Sequence, residues 1–415
     1  MPPTGRTTGQ LRKREKKMET GDYTDRGLRG LTVATTRVSK IDGEKGMLIY
    51  RGYSVEELAR NSSFEEVCHL LIHESLPNRR QLHWFSRWMA EQRKLPPEMI
   101  EYIRLLPENT PPMSFLQSAV ALLASFDPEL EDDSPEAIRR KGVRMIGKMP
   151  TLLASWHRIR SAQEPLQPDP SLPHAHDFLR MLRGFRPDDQ TARALDIALL
   201  LHAEHSFNAS TFTARVIAST RAHLYAAVSG AIGSLSGDLH GGANTRVMNN
   251  ILEIGHEGNV DEWVKDQFDR GNRIAGMGHA VYNTMDPRAV ILDEMIRETI
   301  KDRKDYRWYA ITKRMEEVTQ REFKRRKGKD IYANVDMYSA PFYYALGLPI
   351  DLFTSIFAVS RTAGWVAHIL EEKYPDPPVK PMLYRPSATY VGDYYGQAER
   401  SYLAMEKRED DLGHR

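Results

Sequence analysis

The longest apolar stretch of the chain, PIDLFTSIFAVSRTAGWVAHIL, runs from about Pro349 to Leu370. Two charged residues, Asp351 and Arg361, interrupt it, so a membrane span is not expected. Its apolar residues recur at intervals of three and four, the spacing of one face of an α-helix. The stretch therefore predicts a buried helix over residues 349–372 of a soluble protein.

Helical periodicity continues over most of the chain on both sides of this stretch. Further helices are predicted near residues 79–93, 97–105, 112–125, 134–160, 173–184, 188–204, 211–234, 240–254, 260–270, 287–302, 305–324 and 336–345. Ser54 and Ser63 precede two more helical patterns as N-caps. Short strands are predicted only before Ser54, where β-branched residues flank a turn at Asp42-Gly43. The predicted fold class is mainly α.

Composition excludes several classes of protein. The 415 residues carry a formal net charge of only +2, which argues against a dedicated nucleic-acid binder. Cys68 is the single cysteine, so no intrachain disulfide is expected and a cytoplasmic location is predicted. Residues 1–24 are basic and polar with no apolar core of a secretory signal, and they predict a flexible tail.

Two histidines follow or are flanked by glycines. His240 lies in SGDLHGGANTRV, where glycine permits close approach of a ligand and a following helix would direct free N–H groups at an anion. His279 lies in AGMGHAVYNTMDPRAV, and Arg288 follows at a predicted helix start, where it is suited to hold a carboxylate. For His240 a loop histidine in an ordinary glycine-rich turn is the structural alternative, because such short motifs have low specificity. For His279 and Arg288 the alternative is a turn with an ordinary surface arginine.

Three further places in the sequence have two interpretations each. Asp336, in DIYANVDMYSAPFYYALG, has apolar neighbours that would raise its pKa and make it a stronger base, but it also suits a helix N-cap. Arg361 requires either an internal acid or a bound carboxylate. The pair His202 and His205 with Glu204 permits a metal site, although no recognised metal motif supports it, and His202 also fits a helix face.

Six segments together resemble the citrate synthase family: LHAEHSFNASTFTAR, GDLHGGAN, GMGHAVYNTMDPRA, NVDMYSAPFYYALGLP, SRTAGWVAHILE and RPSATYVG. They follow the family's order and approximate spacing, and the resemblance spans roughly residues 25–400. It implies a two-domain helical fold, with a large domain from residues 25–242 and 346–415 and a small mobile domain from 243–345.

The resemblance also implies a reaction and the residues that perform it. Acetyl-CoA condenses with oxaloacetate and citryl-CoA is hydrolysed, with catalysis by His240, His279 and Asp336. The oxaloacetate contacts fall on His205, Arg288, Arg361 and Arg385, with Asn244 beside His240. No metal and no permanently bound cofactor is implied, since acetyl-CoA, or propionyl-CoA, is a co-substrate. A homodimer is implied, in which Arg385 reaches the partner's site, and no nucleic-acid or membrane partner.

The chain departs from the family where many members have a basic residue after the GHxVY histidine. Ala280 and Asn283 stand there instead. Lys327 and Lys329, in a basic run before Asp336, are the predicted alternative contacts for the CoA phosphates, and a solvated loop is the competing interpretation. A 2-methylcitrate synthase using propionyl-CoA and a catalytically silent helical binding protein are the remaining functional alternatives.

Overall fold

A computed structural model describes most of the chain. The described residues are 28, 30–300, 305–380, 382–388, 390, 402 and 404–407. The predicted tail, residues 1–24, lies outside them. Two compact units are present, residues 1–37 and residues 38–415. In the first, the Leu31 N–H donates a hydrogen bond to the Leu28 carbonyl over 3.2 Å.

One antiparallel three-stranded sheet is found among the described residues. Its strands are β1 (Ser39–Asp42), β2 (Met47–Tyr50) and β3 (Tyr53–Ser54), paired in the order β1-β2-β3. Ser39 lies opposite Tyr50 and Asp42 opposite Met47, so the predicted turn at Asp42-Gly43 is confirmed.

Helices form the rest of the second unit. Those before residue 220 are α1 (Val55–Asn61), α2 (Phe64–His73), α3 (Arg79–Glu91), α4 (Pro97–Leu105), α5 (Pro112–Leu123), α6 (Pro135–Arg160), α7 (His174–Arg183), α8 (Asp189–His202) and α9 (Ala209–Ser219). Those after it are α10 (Leu224–Leu235), α11 (Ala243–Ile254), α12 (Val260–Asp269), α13 (Pro287–Ile300), α14 (Tyr306–Lys327), α15 (Val335–Ala345) and α16 (Phe353–Lys373). The mainly α fold class is confirmed.

The two predicted serine caps are confirmed. The Ser54 hydroxyl accepts the Glu57 N–H and the Ser63 hydroxyl accepts the Glu66 N–H, each over 3.2 Å. Each bond satisfies one of the free N–H groups at the start of its helix.

The predicted single helix over 211–234 is wrong. The structure has two helices, α9 and α10, separated at residues 220–223. Arg221 has a φ of +65°, a left-handed conformation that ends α9. The His223 side chain then accepts the Ala226 N–H and caps α10. Helical periodicity continues through the break because both helices present apolar faces to the same core, and so the pattern did not reveal it.

Helix α16 is the centre of the core. Every residue from Phe353 to Leu370 is buried, and the helix packs against α6, α8, α9, α10 and α2. A 3₁₀ turn over Ile350–Leu352 precedes it, so the α-helix begins later than residue 349. No helix of the described residues is long and apolar enough to cross a membrane. Burial on all sides explains why its sequence is apolar almost throughout.

Candidate active site

His240 lies in a tight turn between α10 and α11. The Gly241 N–H donates to the Leu235 carbonyl, and a Cβ on Gly241 would lie 2.4 Å from that carbonyl oxygen. Only glycine fits this approach. The His240 N–H closes the turn with a bond to the Gly237 carbonyl. The glycines around His240 therefore serve the turn that places the ring.

The hydrogen bonds of His240 fix which ring nitrogen carries the proton. The Ser210 backbone N–H donates to Nε2 over 3.2 Å, and the Ser210 hydroxyl lies 2.9 Å from the same atom. Since a backbone N–H can only donate, Nε2 is the acceptor and the proton of the neutral ring is on Nδ1. Burial, reinforced by Arg361, lowers the pKa of His240 to about 4. His240 is thus a neutral donor through Nδ1.

His279 has the opposite tautomer. Its Nδ1 accepts the backbone N–H groups of Val281 and Tyr282 over 3.0 and 3.2 Å, so the neutral ring is protonated on Nε2. Burial lowers the pKa of His279 to about 4, and Arg288 adds to the effect. The loop that carries His279 therefore offers a second neutral N–H donor.

A clasp between two loops holds His279 and Asp336 together. The Asn334 N–H donates to the Gly276 carbonyl, and the Asn334 side chain donates to the Gly278 carbonyl over 2.8 Å. Gly276 has a φ of +80°, and a Cβ there would lie 3.0 Å from Cα of Met337. Both the backbone conformation and the close approach require glycine at position 276.

Asp336 lies in the first turn of α15. Its backbone N–H donates to the Asn334 side chain, so Asn334 is the N-cap and the N-cap alternative for Asp336 is wrong. Burial raises the pKa of the Asp336 carboxyl to about 6, although Arg288 acts in the opposite direction. No side chain of the described residues hydrogen-bonds this carboxylate. It is a partly desolvated base with its oxygens available.

Arg361 is a buried cation without an ion-pair partner among the described residues. It is 1% exposed, its Nε donates to the His202 carbonyl over 2.7 Å, and its Nη2 has no hydrogen-bond partner there. Its guanidinium lies 4.7 Å from the Phe357 ring centroid. Burial lowers its pKa to about 10, against the opposing charge of Glu204. A buried guanidinium without an ion-pair partner is stabilised when an anion binds to it.

The segment after α8 carries His205. This side chain is buried, and its ring centroid lies 5.3 Å from that of His279 and 5.7 Å from that of Tyr282. Its Nε2 has no partner among the described residues. Burial and the positive charges of Arg288 and Arg361 lower its pKa well below the usual value. His205 is therefore a neutral donor or acceptor beside His279.

Arg288 is buried rather than on the surface, which the sequence left open. Its Nε and Nη2 donate to both oxygens of Asp286 over 3.0 and 2.7 Å. One Asp286 oxygen also accepts the Val335 N–H, which is next to Asp336. Burial would lower the pKa of Arg288, but the Asp286 charge raises it above its ordinary value. These two hydrogen bonds use Nε and Nη2 of Arg288 and leave its Nη1 group as the donor for a further acceptor.

Unpaired buried polar atoms concentrate in this region. Asn244 is fully buried on α11, and its Nδ2 has no hydrogen-bond partner among the described residues. The same holds for His202 Nε2, Glu204 Oε2, His205 Nε2, Tyr282 OH, Tyr343 OH and Arg361 Nη2. Such atoms are costly unless a ligand or water satisfies them. Their convergence marks a polar binding site.

The structure does not bring three predicted residues into this cluster. Lys327, the last residue of α14, and Lys329 are exposed and without a hydrogen bond or ion pair among the described residues. Their neighbours Lys324, Arg325 and Arg326 are paired with Asp330, Glu322 and Asp269. Arg385 is also exposed within the single chain.

The metal alternative has no geometric support. His202 Nδ1 donates to the Ala198 carbonyl over 2.7 Å, and its ring contacts Phe357. Glu204 instead bonds His368 over 3.0 Å. No group of three potential metal ligands occurs among the described residues. His202 ends α8 as a buried helix-face residue, as the sequence suggested.

Several site residues were missed from the sequence. Asp286 lies two residues before Arg288, and this spacing is a usable signal for the pair. Tyr282, Tyr343 and Ser210 carried no distinguishing pattern. Ser210 lies 30 positions before His240, and only the fold reveals its contact with the ring.

The cluster has the components of an acid–base enzyme for an anionic substrate. A carboxylate with raised pKa lies with two neutral imidazole donors and two buried arginines. This combination suits proton removal from carbon next to a carbonyl, with N–H donors for the developing oxyanion and arginines for carboxylate groups.

Comparisons with known proteins agree with this class. Residues 27–387 match the family model described as citrate synthase, C-terminal domain. The citrate synthase of Haloferax volcanii is 44% identical over 89% of this chain and 96% of its own. The citrate/2-methylcitrate synthase of Bacillus subtilis is 36% identical over 91% and 99%.

A solved structure is similar over nearly the whole chain. It is the ternary complex of carboxymethyl coenzyme A and oxaloacetate with citrate synthase from the thermophilic archaeon Thermoplasma acidophilum. Its TM-score is 0.85, at 31% identity, and the match covers 94% of this chain and 100% of that one. The chain belongs to the citrate synthase family.

Proposed function

We propose that this protein condenses acetyl-CoA with oxaloacetate and hydrolyses the citryl-CoA formed, giving citrate and CoA. It would thus be an acyltransferase that converts the acyl group into an alkyl group on transfer. The observation that carries the proposal is the clasp that joins the loop of His279 to the first turn of α15, which carries Asp336. The buried guanidinium of Arg361, whose Nη2 has no partner among the described residues, supplies the anion contact.

Asp336 is the proposed base for the first step. It removes a proton from the methyl group of the thioester, while the Nδ1–H of His240 donates to the thioester oxygen as the enol forms. A neutral imidazole suits this role because its N–H is a hydrogen-bond donor throughout the pH range above 4. The base and the donor together replace the strong base that the methyl group would need in water.

His279 is the proposed acid for the second step. Its Nε2–H faces the ketone of oxaloacetate, and the enol carbon attacks the ketone carbon. His279 transfers its Nε2 proton to the alkoxide, and the proton that Asp336 removed from the methyl group is returned to His279. Water then cleaves the thioester to give citrate and CoA. Because His279 is neutral, it polarises the ketone through an N–H rather than a full charge.

The two carboxylates of oxaloacetate are proposed ligands of the arginines. Arg361 Nη2 and Arg288 Nη1, which have no hydrogen-bond partner in the described part of the chain, supply donors. His205 and Asn244 supply neutral contacts. Arg385 would complete the site from the partner subunit of a homodimer. Its exposure in the single chain supports this assignment, because an arginine serving its own site would be covered there.

Motion of a small domain, residues 243–345, is part of the proposal. Closure over oxaloacetate would exclude water from the enol. The division of the site supports it, since His279 and Asp336 lie in this range while His205 and Arg361 lie outside. X-ray scattering should show a more compact particle with oxaloacetate, and superimposable profiles would remove the idea.

Lys327 and Lys329 are the proposed contacts for the CoA phosphates. Both are exposed and unpaired among the described residues, unlike the neighbouring basic residues of the run.

A cytoplasmic location is also proposed. The single cysteine, Cys68, is buried and free, which fits a reducing compartment, and cell fractionation is its test.

The experiment that tests the function is an assay of thiol release. CoA should appear only when oxaloacetate and an acyl-CoA are both present, and kcat/KM should be higher with acetyl-CoA than with propionyl-CoA. One methyl group changes binding by only about 1–3 kcal/mol, so both rates must be measured. A higher kcat/KM with propionyl-CoA would favour a 2-methylcitrate synthase, and no CoA release with either would overturn the proposal.

A further inference from the structure

A buried carboxylate lies immediately before His205 and takes no part in the proposed chemistry. Glu204 is fully buried. Its Oε1 accepts hydrogen bonds from the Ser39 hydroxyl over 2.9 Å, from the Ser206 N–H, and from Nε2 of His368 over 3.0 Å. Three donors on one oxygen hold the carboxylate in its ionised form, and they lower its pKa despite burial.

His368 is itself fixed by a second charge. Arg215 donates through Nη1 to His368 Nδ1 over 3.0 Å. An arginine can only donate, so Nδ1 accepts and the proton of His368 lies on Nε2, directed at Glu204. Arg215 is held in turn by Glu371 and Glu372, each over 2.7 Å. Arg215 thus sets the tautomer of His368 through Nδ1, the ring nitrogen that does not contact Glu204.

The segment that Glu204 holds is strained. Ser206 has a φ of +52°, a left-handed conformation that is unfavourable for a non-glycine residue. Its N–H donates to the Glu204 carboxylate, which stabilises that conformation. The backbone of Glu204 is anchored as well, because the Tyr50 hydroxyl donates to its carbonyl over 2.8 Å.

His205 lies between these two fixed points. The backbone conformations of Glu204 and Ser206, on either side of His205, set the direction in which its ring points. That direction places the ring 5.3 Å from His279. Loss of the Glu204 contacts would release the strained turn and with it the orientation of His205.

We propose that His368 is a positioning residue for oxaloacetate binding. It holds the Glu204 carboxylate, which holds the Ser206 turn, and the turn presents His205 to the ketoacid. His368 contacts neither substrate nor His205. This inference rests on the proposed function, because His205 is taken to bind oxaloacetate.

Two substitutions separate the hydrogen bond of His368 from its bulk. His368→Leu removes both ring nitrogens. His368→Gln keeps a donor and an acceptor at about the separation of the two ring nitrogens, so it can bridge Arg215 and Glu204. We expect His368→Leu to raise the oxaloacetate KM about tenfold, with kcat and the acyl-CoA KM within about twofold. His368→Gln should restore the oxaloacetate KM to within about threefold.

A double variant tests whether the effect acts through His205. In a His205→Ala protein, His368→Leu should raise the oxaloacetate KM by less than about twofold, since coupled residues are not additive. His174→Leu is the matched control. His174 is a buried histidine whose ring nitrogens have no partner among the described residues, and its loss should leave both KM values unchanged.

Several outcomes would overturn the positioning role. The first is an unchanged oxaloacetate KM in His368→Leu, and the second is a rise in His368→Gln as large as in His368→Leu. The others are a full effect of His368→Leu in the His205→Ala protein, and a rise in His174→Leu as large as in His368→Leu. If His368→Leu does not fold, Ser39→Ala removes another donor to Glu204 and should raise the oxaloacetate KM about two- to threefold. An unchanged value there also rejects the idea. A wild-type protein without CoA release rejects the proposed function and this inference together.

Discussion

The backbone N–H of Ser210 donates a hydrogen bond to Nε2 of His240 over 3.2 Å. This contact leaves the proton on Nδ1, so only the Nδ1 side of the ring can donate to a substrate. The side-chain nitrogen of asparagine can occupy the Nδ1 position, whereas that of glutamine reaches the Nε2 position. The structure therefore distinguishes two substitutions that differ by one methylene group.

We expect His240→Gln and His240→Ala to lower kcat by about 100- to 1000-fold, the usual effect of losing an oxyanion donor. His240→Asn should lose only about tenfold, because a donor remains at the Nδ1 position. Steady-state kinetics under saturating substrates would measure this order. Equal losses in the Asn and Gln variants would contradict the Nδ1 assignment.

Asp336 should set the acid limb of the pH profile. The base must be ionised, and its pKa is raised to about 6. As the pH falls through 6 the carboxylate is protonated, so kcat/KM for the acyl-CoA should fall about tenfold per pH unit below that value.

Asp336→Asn removes the base without changing the size of the side chain. Its kcat should fall by at least about 1000-fold at pH 8, with circular dichroism unchanged. A wild-type acid limb near pH 4 would show that the group responsible is not a desolvated carboxylate.

Arg361 should matter for oxaloacetate and not for protein stability. Its guanidinium is buried with Nη2 unpaired among the described residues. Arg361→Leu therefore removes a desolvated cation as well as the proposed contact to oxaloacetate. We expect the oxaloacetate KM to rise at least about 100-fold with the acyl-CoA KM within about threefold. Thermal unfolding should show that oxaloacetate raises the Tm of the wild-type protein but not of the variant. A normal oxaloacetate KM would remove the carboxylate role.

Lys327, the last residue of α14, and Lys329 have no ion-pair partner among the described residues, and they give a test of CoA binding. The double substitution of Lys327 and Lys329 by alanine should raise the acyl-CoA KM about tenfold and leave the oxaloacetate KM unchanged. The effect should shrink at high salt, since exposed charges are screened. Lys265→Ala, an exposed lysine of α12, is the control. An unchanged acyl-CoA KM at low salt would assign the lysines to solvent.

Arg385 can be assigned to a subunit by mixing two inactive proteins. The proposed homodimer predicts that Asp336→Asn and Arg385→Ala chains, refolded or co-expressed together, form mixed dimers. If Arg385 serves the partner, one of the two sites in each mixed dimer is intact, and the mixture should recover about a quarter of wild-type activity. If Arg385 serves its own chain, neither site is intact and no activity returns.

The sequence predicted the helices well because their buried faces repeat at helical spacing. It failed at residues 220–223, where Arg221 adopts a left-handed conformation without interrupting the apolar pattern. Asp336 was recognised for its apolar surroundings, and burial does raise its pKa. The cap belonged to Asn334 instead, because a cap is decided by backbone geometry and several polar residues compete for it.

The site contacts were harder to predict, because they join distant parts of the chain. Ser39 and His368 reach the same carboxylate of Glu204 from opposite ends of the sequence. Local periodicity predicts the helix that contains His368, but it does not reveal that His368 and Ser39 meet at one carboxylate. The pairing of Arg288 with Asp286 is the exception, since the two residues are neighbours in sequence.

The clasp at Gly276 and Asn334 has a consequence for the order of events in the reaction. It ties the loop of His279 to the first turn of α15, so the proposed acid and the proposed base travel as one piece. In the proposed closure of residues 243–345 their mutual spacing would stay constant, whereas their spacing to His240, which lies before that range, would change. The movement would thus control when the thioester is activated. It would not change which protons Asp336 and His279 hold.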